Sequence, residues 1–252
     1  MTSTPHPSYE NPTIQEAVCE IQFQQAEGVS WDPTWYGEFY KVIQDEFPTF
    51  QPVSFPILLE VSNRPRGSTM LAVPQAIRFH HASRNLLLQL YEARITVSVL
   101  ADYPGWAHMR DDIRRAWEVV HAVTKPVRVN RLGLRYINRV ERSKAKETGD
   151  RWFVPNEFVP QAILHSLPPF LVRAETRPDD VNRTNVSFTH LEVETSEHGA
   201  FFLDIDRATE AELSVDTDLL LQEVDRLHDD VWQIFQSTKG ERLERLLQGE
   251  IP

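Results

Sequence analysis

Apolar and polar residues alternate most regularly over residues 127–140, in the stretch VRVNRLGLRYINRV. Successive side chains of a β-strand point to opposite faces, so this alternation predicts a strand with one face on a core. Gly133 is unusual inside such a strand and indicates a bulge or the close approach of another group. The predicted core face carries Leu132, Leu134, Tyr136 and Val140. The opposite face carries Arg131, Gly133, Arg135 and Arg139.

A second alternating stretch, residues 16–23 (EAVCEIQF), predicts an earlier strand. Its apolar face carries Cys19, Ile21 and Phe23, and its polar face carries Glu16, Glu20 and Gln22. If the two strands lie side by side, carboxylates meet guanidinium groups. The pattern leaves open whether this is a structural ion-pair cluster or a ligand-binding site, since both bring opposite charges together. The predicted site residues are Arg131, Arg135, Glu16 and Glu20, with Tyr136 and Asn138 nearby.

Apolar residues at spacings of three and four predict helices elsewhere in the chain. Asp32 and Pro33 predict the start of a first helix that runs to about Phe47. Helical stripes follow over residues 106–120 and from about Asp216 onward, a short helix is expected over 156–167, and a capping box at 238–241 predicts a terminal helix. Further strands are predicted over residues 57–61, 76–81, 86–90, 94–100, 170–177, 185–195 and 200–205.

The order of these elements repeats, which predicts an internal duplication. After a disordered N-terminal tail (residues 1–12), residues 13–125 form a first α+β repeat, and residues 126–252 form a second repeat with the terminal helix. The predicted fold class is α+β, with one curved antiparallel sheet whose long helices cover one face. By topology alone this arrangement resembles the saddle of the TATA-binding-protein-like fold, and a fold does not carry a function.

Composition narrows the classes of partner. The chain has 252 residues, of which 41% are apolar, and a formal net charge of −11. An acidic protein is poorly suited to hold nucleic acid by releasing counterions, so nucleic acid is an improbable partner. Cys19 is the single cysteine, which excludes an internal disulfide and favours a reducing, cytoplasmic location. No leader sequence and no membrane-spanning segment are predicted.

Four stretches carry a resemblance to a known family. They are NPTIQEAVCEIQF (residues 11–23), YPGW (103–106), RLGLRYINRV (131–140) and LHDDVWQIFQSTKGERLERLL (227–247). Together they resemble the "sporadically distributed" family of bacterial and archaeal proteins, which has no established activity. The patchy distribution of that family is typical of mobile elements, defence islands or toxin–antitoxin pairs. The resemblance therefore implies a genetic context and no chemistry.

Motifs that carry catalysis are missing from the sequence. It has no glycine-rich phosphate loop, no nucleophile elbow and no paired-cysteine metal site. A row of His190, Glu192 and Glu194, and a second group of His228, Asp229 and Asp230, are both interpreted as solvated faces. Trp106 and Trp117 recur at helical spacing and are interpreted as core residues. Neither a metal site nor a cofactor is predicted, and no catalytic residue can be assigned.

The sequence thus favours a non-catalytic binding or interaction protein with a protein partner, and the resemblance implies a defence or toxin–antitoxin context. The alternative is an enzyme or sensor that binds a small anionic ligand at the Arg/Glu cluster on the sheet. A saddle that binds nucleic acid is opposed by the net charge. A homodimer is compatible with all of these.

Overall fold

A single antiparallel sheet of nine strands organises the described part of this computed structural model, with strand order β2-β3-β4-β5-β1-β6-β9-β8-β7. The structure describes residues 6, 8–60, 68–144, 146–167, 169–192 and 198–251, and for residues 55–60 and 68–75 the description covers the backbone. The strands are β1 (Ile14–Gln24), β2 (Thr49–Glu60), β3 (Ser68–His80), β4 (Leu86–Tyr91), β5 (Arg94–Leu100), β6 (Arg128–Glu141), β7 (Leu171–Thr176), β8 (Asn182–Leu191) and β9 (Ala200–Thr209).

The helices pack on one face of this sheet. α2 lies on β5, α4 lies on β6 and β9, and both α1 and α4 contact α2. The predicted α+β class with one antiparallel sheet is therefore confirmed. No helix among the described residues is long and apolar enough to cross a membrane. The helices are α1 (Thr34–Ile43), α2 (Trp106–Thr124), α3 (Gln161–Leu164), α4 (Thr217–Thr238) and α5 (Glu241–Leu247), with a 3₁₀ turn at Gly149–Arg151.

β1 and β6 lie side by side at the centre of the sheet, as the alternating stretches predict. Their antiparallel register places Cys19 opposite Leu134 and Ile21 opposite Leu132. These four side chains are fully buried beneath the helices. Trp117 of α2 packs edge-on against Phe23 in the same core, which confirms its predicted core position. The period-two pattern therefore assigned the buried face of both strands correctly.

The predicted capping box at the start of α5 is wrong. The N-cap of α5 is Gly240, and no side chain caps this helix. The N–H of Gly240 instead donates to the carbonyl of Trp152 at 2.8 Å, and Lys239 forms a bridge with Phe153. This local pairing extends the chain after α4, so the Thr238 hydroxyl stays on α4 and donates to the Ile234 carbonyl at 2.8 Å.

Other predicted boundaries also shift. α1 ends at Ile43 rather than Phe47. The helix expected over residues 156–167 shrinks to α3, because the Asn156 side chain accepts hydrogen bonds from the N–H groups of Phe158 and Val159, both at 2.9 Å, and holds that segment in a turn. β2 and β3 are longer than predicted, and the ends expected at residues 61 and 195 lie outside the described residues.

Residues 8–12 run along the C-terminal helices. The Tyr9 hydroxyl accepts hydrogen bonds from Gln236 Nε2 at 3.0 Å and from Lys239 Nζ at 2.7 Å. The backbone N–H of Asn11 donates to the Leu247 carbonyl at 3.0 Å. This segment thus brings the beginning of the described chain against its end, and it forms one wall of the pocket described below.

Candidate functional site

The sheet separates the six predicted site residues onto its two faces. Arg131, Arg135, Glu16 and Glu20 lie on the face away from the helices, here called the polar face. Tyr136 and Asn138 lie on the helix-covered face and are 5% and 4% exposed. The structure therefore brings the four charged residues together and does not add Tyr136 and Asn138 to them, because residues of opposite parity on one strand point to opposite faces.

Glu20 is the centre of an ion-pair cluster on the polar face. Its carboxylate accepts from the guanidinium groups of Arg131 and Arg94, the latter at 3.0 Å, and from Gln22 Nε2 at 2.9 Å. Gly133 stands directly opposite Glu20 in the register. A Cβ atom at Gly133 would lie 3.0 Å from the Arg131 Nη1, so the missing side chain leaves room for the guanidinium to cross the strand. The glycine is explained by this close approach, and not by a bulge.

Arg135 pairs with a carboxylate from outside the predicted cluster. It donates two parallel hydrogen bonds to Asp204 of β9, at 2.8 and 2.7 Å. The hydrogen bonds with Asp204 raise the pKa of Arg135, and the charges of Asp206 and Glu16 act in the same direction. Glu16 therefore contributes a nearby negative charge to Arg135 rather than a direct ion pair. The arginines of this cluster are matched by carboxylates, which makes the face a poor attractor for anions.

A pocket of about 270 Å³ lies on the other side of the sheet, between His6, residues 8–14, the start of α2, the helix α4 and Leu247. We call it the aromatic pocket, because eight of its lining residues carry an aromatic or imidazole ring. Tyr136 and Asn138 of β6 line it, so two of the predicted site residues belong to this pocket. Its aromatic and imidazole residues are His6, Tyr9, Tyr103, Trp106, Tyr136, His228, Trp232 and Phe235.

The rings of the pocket are held in two stacks. Trp106 and His228 lie face to face, with centroids 3.9 Å apart and planes within 5°. Trp232 stacks on His6 at 4.6 Å and on Tyr9 at 5.7 Å. Stacked rings restrict each other's side-chain rotation. The walls are therefore ordered before a ligand arrives, which lowers the entropic cost of binding.

Polar groups occur at only a few points of the pocket. The hydroxyls of Tyr103 and Tyr136 are 2.9 Å apart. Burial raises the pKa of both phenols, so both stay protonated at neutral pH. The Thr13 hydroxyl donates to Asn138 Oδ1 at 3.2 Å, and Asn138 Nδ2 donates to the Leu203 carbonyl at 3.4 Å. These groups can orient a ligand through hydrogen bonds.

His228 was missed by the sequence interpretation, which placed it on a solvated face. His228 is 7% exposed, and its Nδ1 is buried without a hydrogen-bond partner among the described residues. Burial, with a smaller effect of the neighbouring His6, lowers the pKa of His228 to about 3. The imidazole is therefore neutral at pH 7. Helical spacing does predict the burial of His228, since it lies four residues after Val224 and three before Val231, and both valines are buried.

Two further sequence interpretations are corrected. Trp106 is only partly buried, and it stacks on His228 in the pocket rather than filling the core. His190 was assigned to a solvated row with Glu192 and Glu194; it is 6% exposed, and its Nε2 lies 3.1 Å from Arg142 Nη1. Glu194 lies outside the described residues.

Comparison with known proteins does not assign the pocket a function. A search against protein-family models found no model that matches the chain, and no curated protein sequence matches it either. The function must therefore be argued from the site itself.

Proposed function

We propose that this protein is a non-catalytic binding protein, and that it holds a flat aromatic ring of its ligand in the aromatic pocket. The observation that carries the proposal is the pair of ordered stacks formed by Trp106 with His228 and by Trp232 with His6. Indole and imidazole faces favour planar ligands, because offset stacking adds to the burial of apolar surface.

The size of the pocket supports a ligand of about two fused rings. An apolar cavity of roughly 150 Å³ holds one benzene molecule. The aromatic pocket has about 270 Å³. A bicyclic heteroaromatic ring fits this volume, and the Asn138 amide and the Tyr103 hydroxyl can pair with polar atoms on its edge.

The titratable groups in the pocket favour binding over catalysis. A general base works best when its pKa lies near the operating pH. The pKa of His228 is lowered to about 3, so it is a weak base, while the raised pKa values of Tyr103 and Tyr136 make them weak acids. The alternative of a small anion at the Arg/Glu cluster is less favoured, because Glu20 and Asp204 already neutralise those arginines.

We also propose that residues 13–125 and 126–252 are two copies of one folding plan, joined as in a saddle. The order of the strands supports this: outward from β1 come β5, β4 and β3, and outward from β6 come β9, β8 and β7. The pocket then lies near the seam between the copies, since Tyr103 and Trp106 come from the first copy and Tyr136 and His228 come from the second.

The test is direct titration of the protein with aromatic probes, with the heat of binding measured by isothermal titration calorimetry. Indole and a tryptophan-containing peptide are the two arms. The ring alone is sufficient if the natural ligand is a small molecule, whereas flanking residues tighten binding if the ring belongs to a protein partner. Trp106→Leu removes the face of one stack, and Trp35→Leu is the matched control, because Trp35 packs edge-on against Trp31 and does not line the pocket.

We expect saturable binding of indole to the wild type, weakened roughly tenfold or more by Trp106→Leu, since loss of a stacked aromatic contact with its buried area exceeds about 1.4 kcal/mol. Trp35→Leu should bind as the wild type does. The proposal is wrong if neither probe binds the wild type, or if folded Trp106→Leu binds both probes unchanged.

A further inference from the structure

We infer that His6, His228 and Asp229 form a binding site for a divalent transition metal ion of the zinc type at the wall of the aromatic pocket. One nitrogen of each imidazole and one carboxylate oxygen lie within 4.8 Å of one another. The inference needs no particular ligand in the pocket and goes beyond the binding function proposed above.

The separations of the donor atoms suit a metal after small side-chain rotations. Zinc lies about 2.0–2.2 Å from nitrogen and oxygen ligands, which in a tetrahedron places neighbouring donors roughly 3.4 Å apart. His6 Nε2 lies 2.7 Å from Asp229 Oδ1, and the third donor lies within 4.8 Å of both. The first pair has to open slightly and the third donor has to settle at a similar separation from both, which side-chain torsions can provide.

The surroundings of the two imidazoles hold them close to the required positions. The ring of His228 is clamped against Trp106 with nearly parallel planes, and the ring of His6 is stacked on Trp232. The two imidazole centroids are 5.2 Å apart. Sites whose ligands are fixed by their surroundings before the metal arrives lose less entropy on binding.

The chemistry of the donor set selects the class of ion. Two imidazole nitrogens and one carboxylate suit zinc, iron, nickel and copper better than magnesium or calcium, which prefer oxygen ligands. His228 is buried, and its Nδ1 has no hydrogen-bond partner among the described residues, so this nitrogen is not engaged in a structural hydrogen bond. Both histidines line the aromatic pocket, so further coordination positions would face it.

The experiment is a zinc titration of untagged, chelator-treated protein, read by competition with a chromophoric chelator. His6→Ala removes one ligand. Asp229→Asn removes the charge of the carboxylate. Its amide oxygen can still contact His6, and this contact keeps residues 8–12 against α4. The matched control is His165→Ala, since His165 and Asp150 form a comparable but exposed histidine–carboxylate pair at 3.4 Å.

We expect one zinc ion per wild-type chain, and weakening by roughly tenfold or more in His6→Ala and Asp229→Asn, because even groups that only support a metal ligand contribute about 10–100-fold in affinity. His165→Ala should bind zinc as the wild type does. The inference is overturned if the wild type binds no zinc, or if both pocket variants bind it unchanged. Indole titration in the presence of chelator tests the proposed function separately.

Discussion

Glu20→Gln is the change that most directly tests the seam between β1 and β6. The glutamine side chain keeps the size of glutamate and removes the charge that Arg131 and Arg94 share. The Glu20 and Arg131 side chains are 22% and 17% exposed, so water replaces the lost partner poorly. The NH₂ group of the new amide also faces guanidinium donors.

The expected cost is about 1.5–3 kcal/mol, the range for hydrogen bonds to charged groups that are largely shielded from water. For a domain of this size about 1 kcal/mol shifts the melting temperature by roughly 2–4 °C, so melting should fall by about 3–12 °C. Arg135→Ala breaks a pair whose arginine is 47% exposed and should cost less, on the order of 0.2–1 kcal/mol.

The assay is thermal unfolding followed by circular dichroism at constant protein concentration and neutral pH. Glu141→Gln is the matched control, because Glu141 pairs with Arg139 in the same strand and is 54% exposed. It should stay within roughly 0.5 kcal/mol of the wild type. If Glu20→Gln melts with the wild type, or if Arg135→Ala is the more destabilised variant, the burial argument for this cluster is wrong.

Two further predictions concern buried groups. Burial raises the pKa of the Cys19 thiol, so a thiol reagent should label it only in denaturant. Cys19→Ser should lower the free energy of unfolding by about 1–3 kcal/mol. Labelling of the native protein as fast as that of the denatured protein would contradict this. Burial lowers the pKa of His190 below 6.5, and its Nε2 accepts a hydrogen bond from Arg142. As the pH falls below about 6.5, His190 is therefore protonated in the unfolded chain before it is protonated in the folded protein, and the free energy of unfolding should decline. His190→Gln keeps an acceptor for Arg142 and should flatten that decline in urea unfolding followed from pH 7.5 to 5, whereas an unchanged slope would exclude His190 as its source.

Alternation along single strands was enough to predict the centre of the sheet. From Ala17 in β1 and from Leu132 in β6 every second side chain is buried, so the face of each strand follows from parity there. The acid–base contact between Glu20 and Arg131 follows from placing the strands side by side. The partner of Arg135 could not be found in this way. Asp204 belongs to β9, and the pairing of β9 with β6 depends on how the second half of the chain closes.

The aromatic pocket was harder to predict, because its residues are far apart in the chain. His6 contacts Asp229 across 223 positions, and the segment that carries it has no apolar periodicity. On α4, the acidic neighbours Asp229 and Asp230 made residue 228 look solvated, although helical spacing places it beside Val224 and Val231. At this position helical periodicity is a better guide to burial than the polarity of the neighbouring residues.

Asn138 shows where the sequence already indicated the edge of the core. It has the parity of Leu134 and Tyr136, yet it is an amide between the buried residues Tyr136 and Val140. A polar group on a buried face is retained only where partners satisfy it, and here Thr13 and the Leu203 carbonyl do so. Thr13 directly precedes β1, so the amide lies where the chain enters the sheet, and there His6 and residues 8–13 cover the sheet in place of the helices. A lone amide on an apolar strand face thus indicates a change of cover, and in this protein the pocket lies at that change.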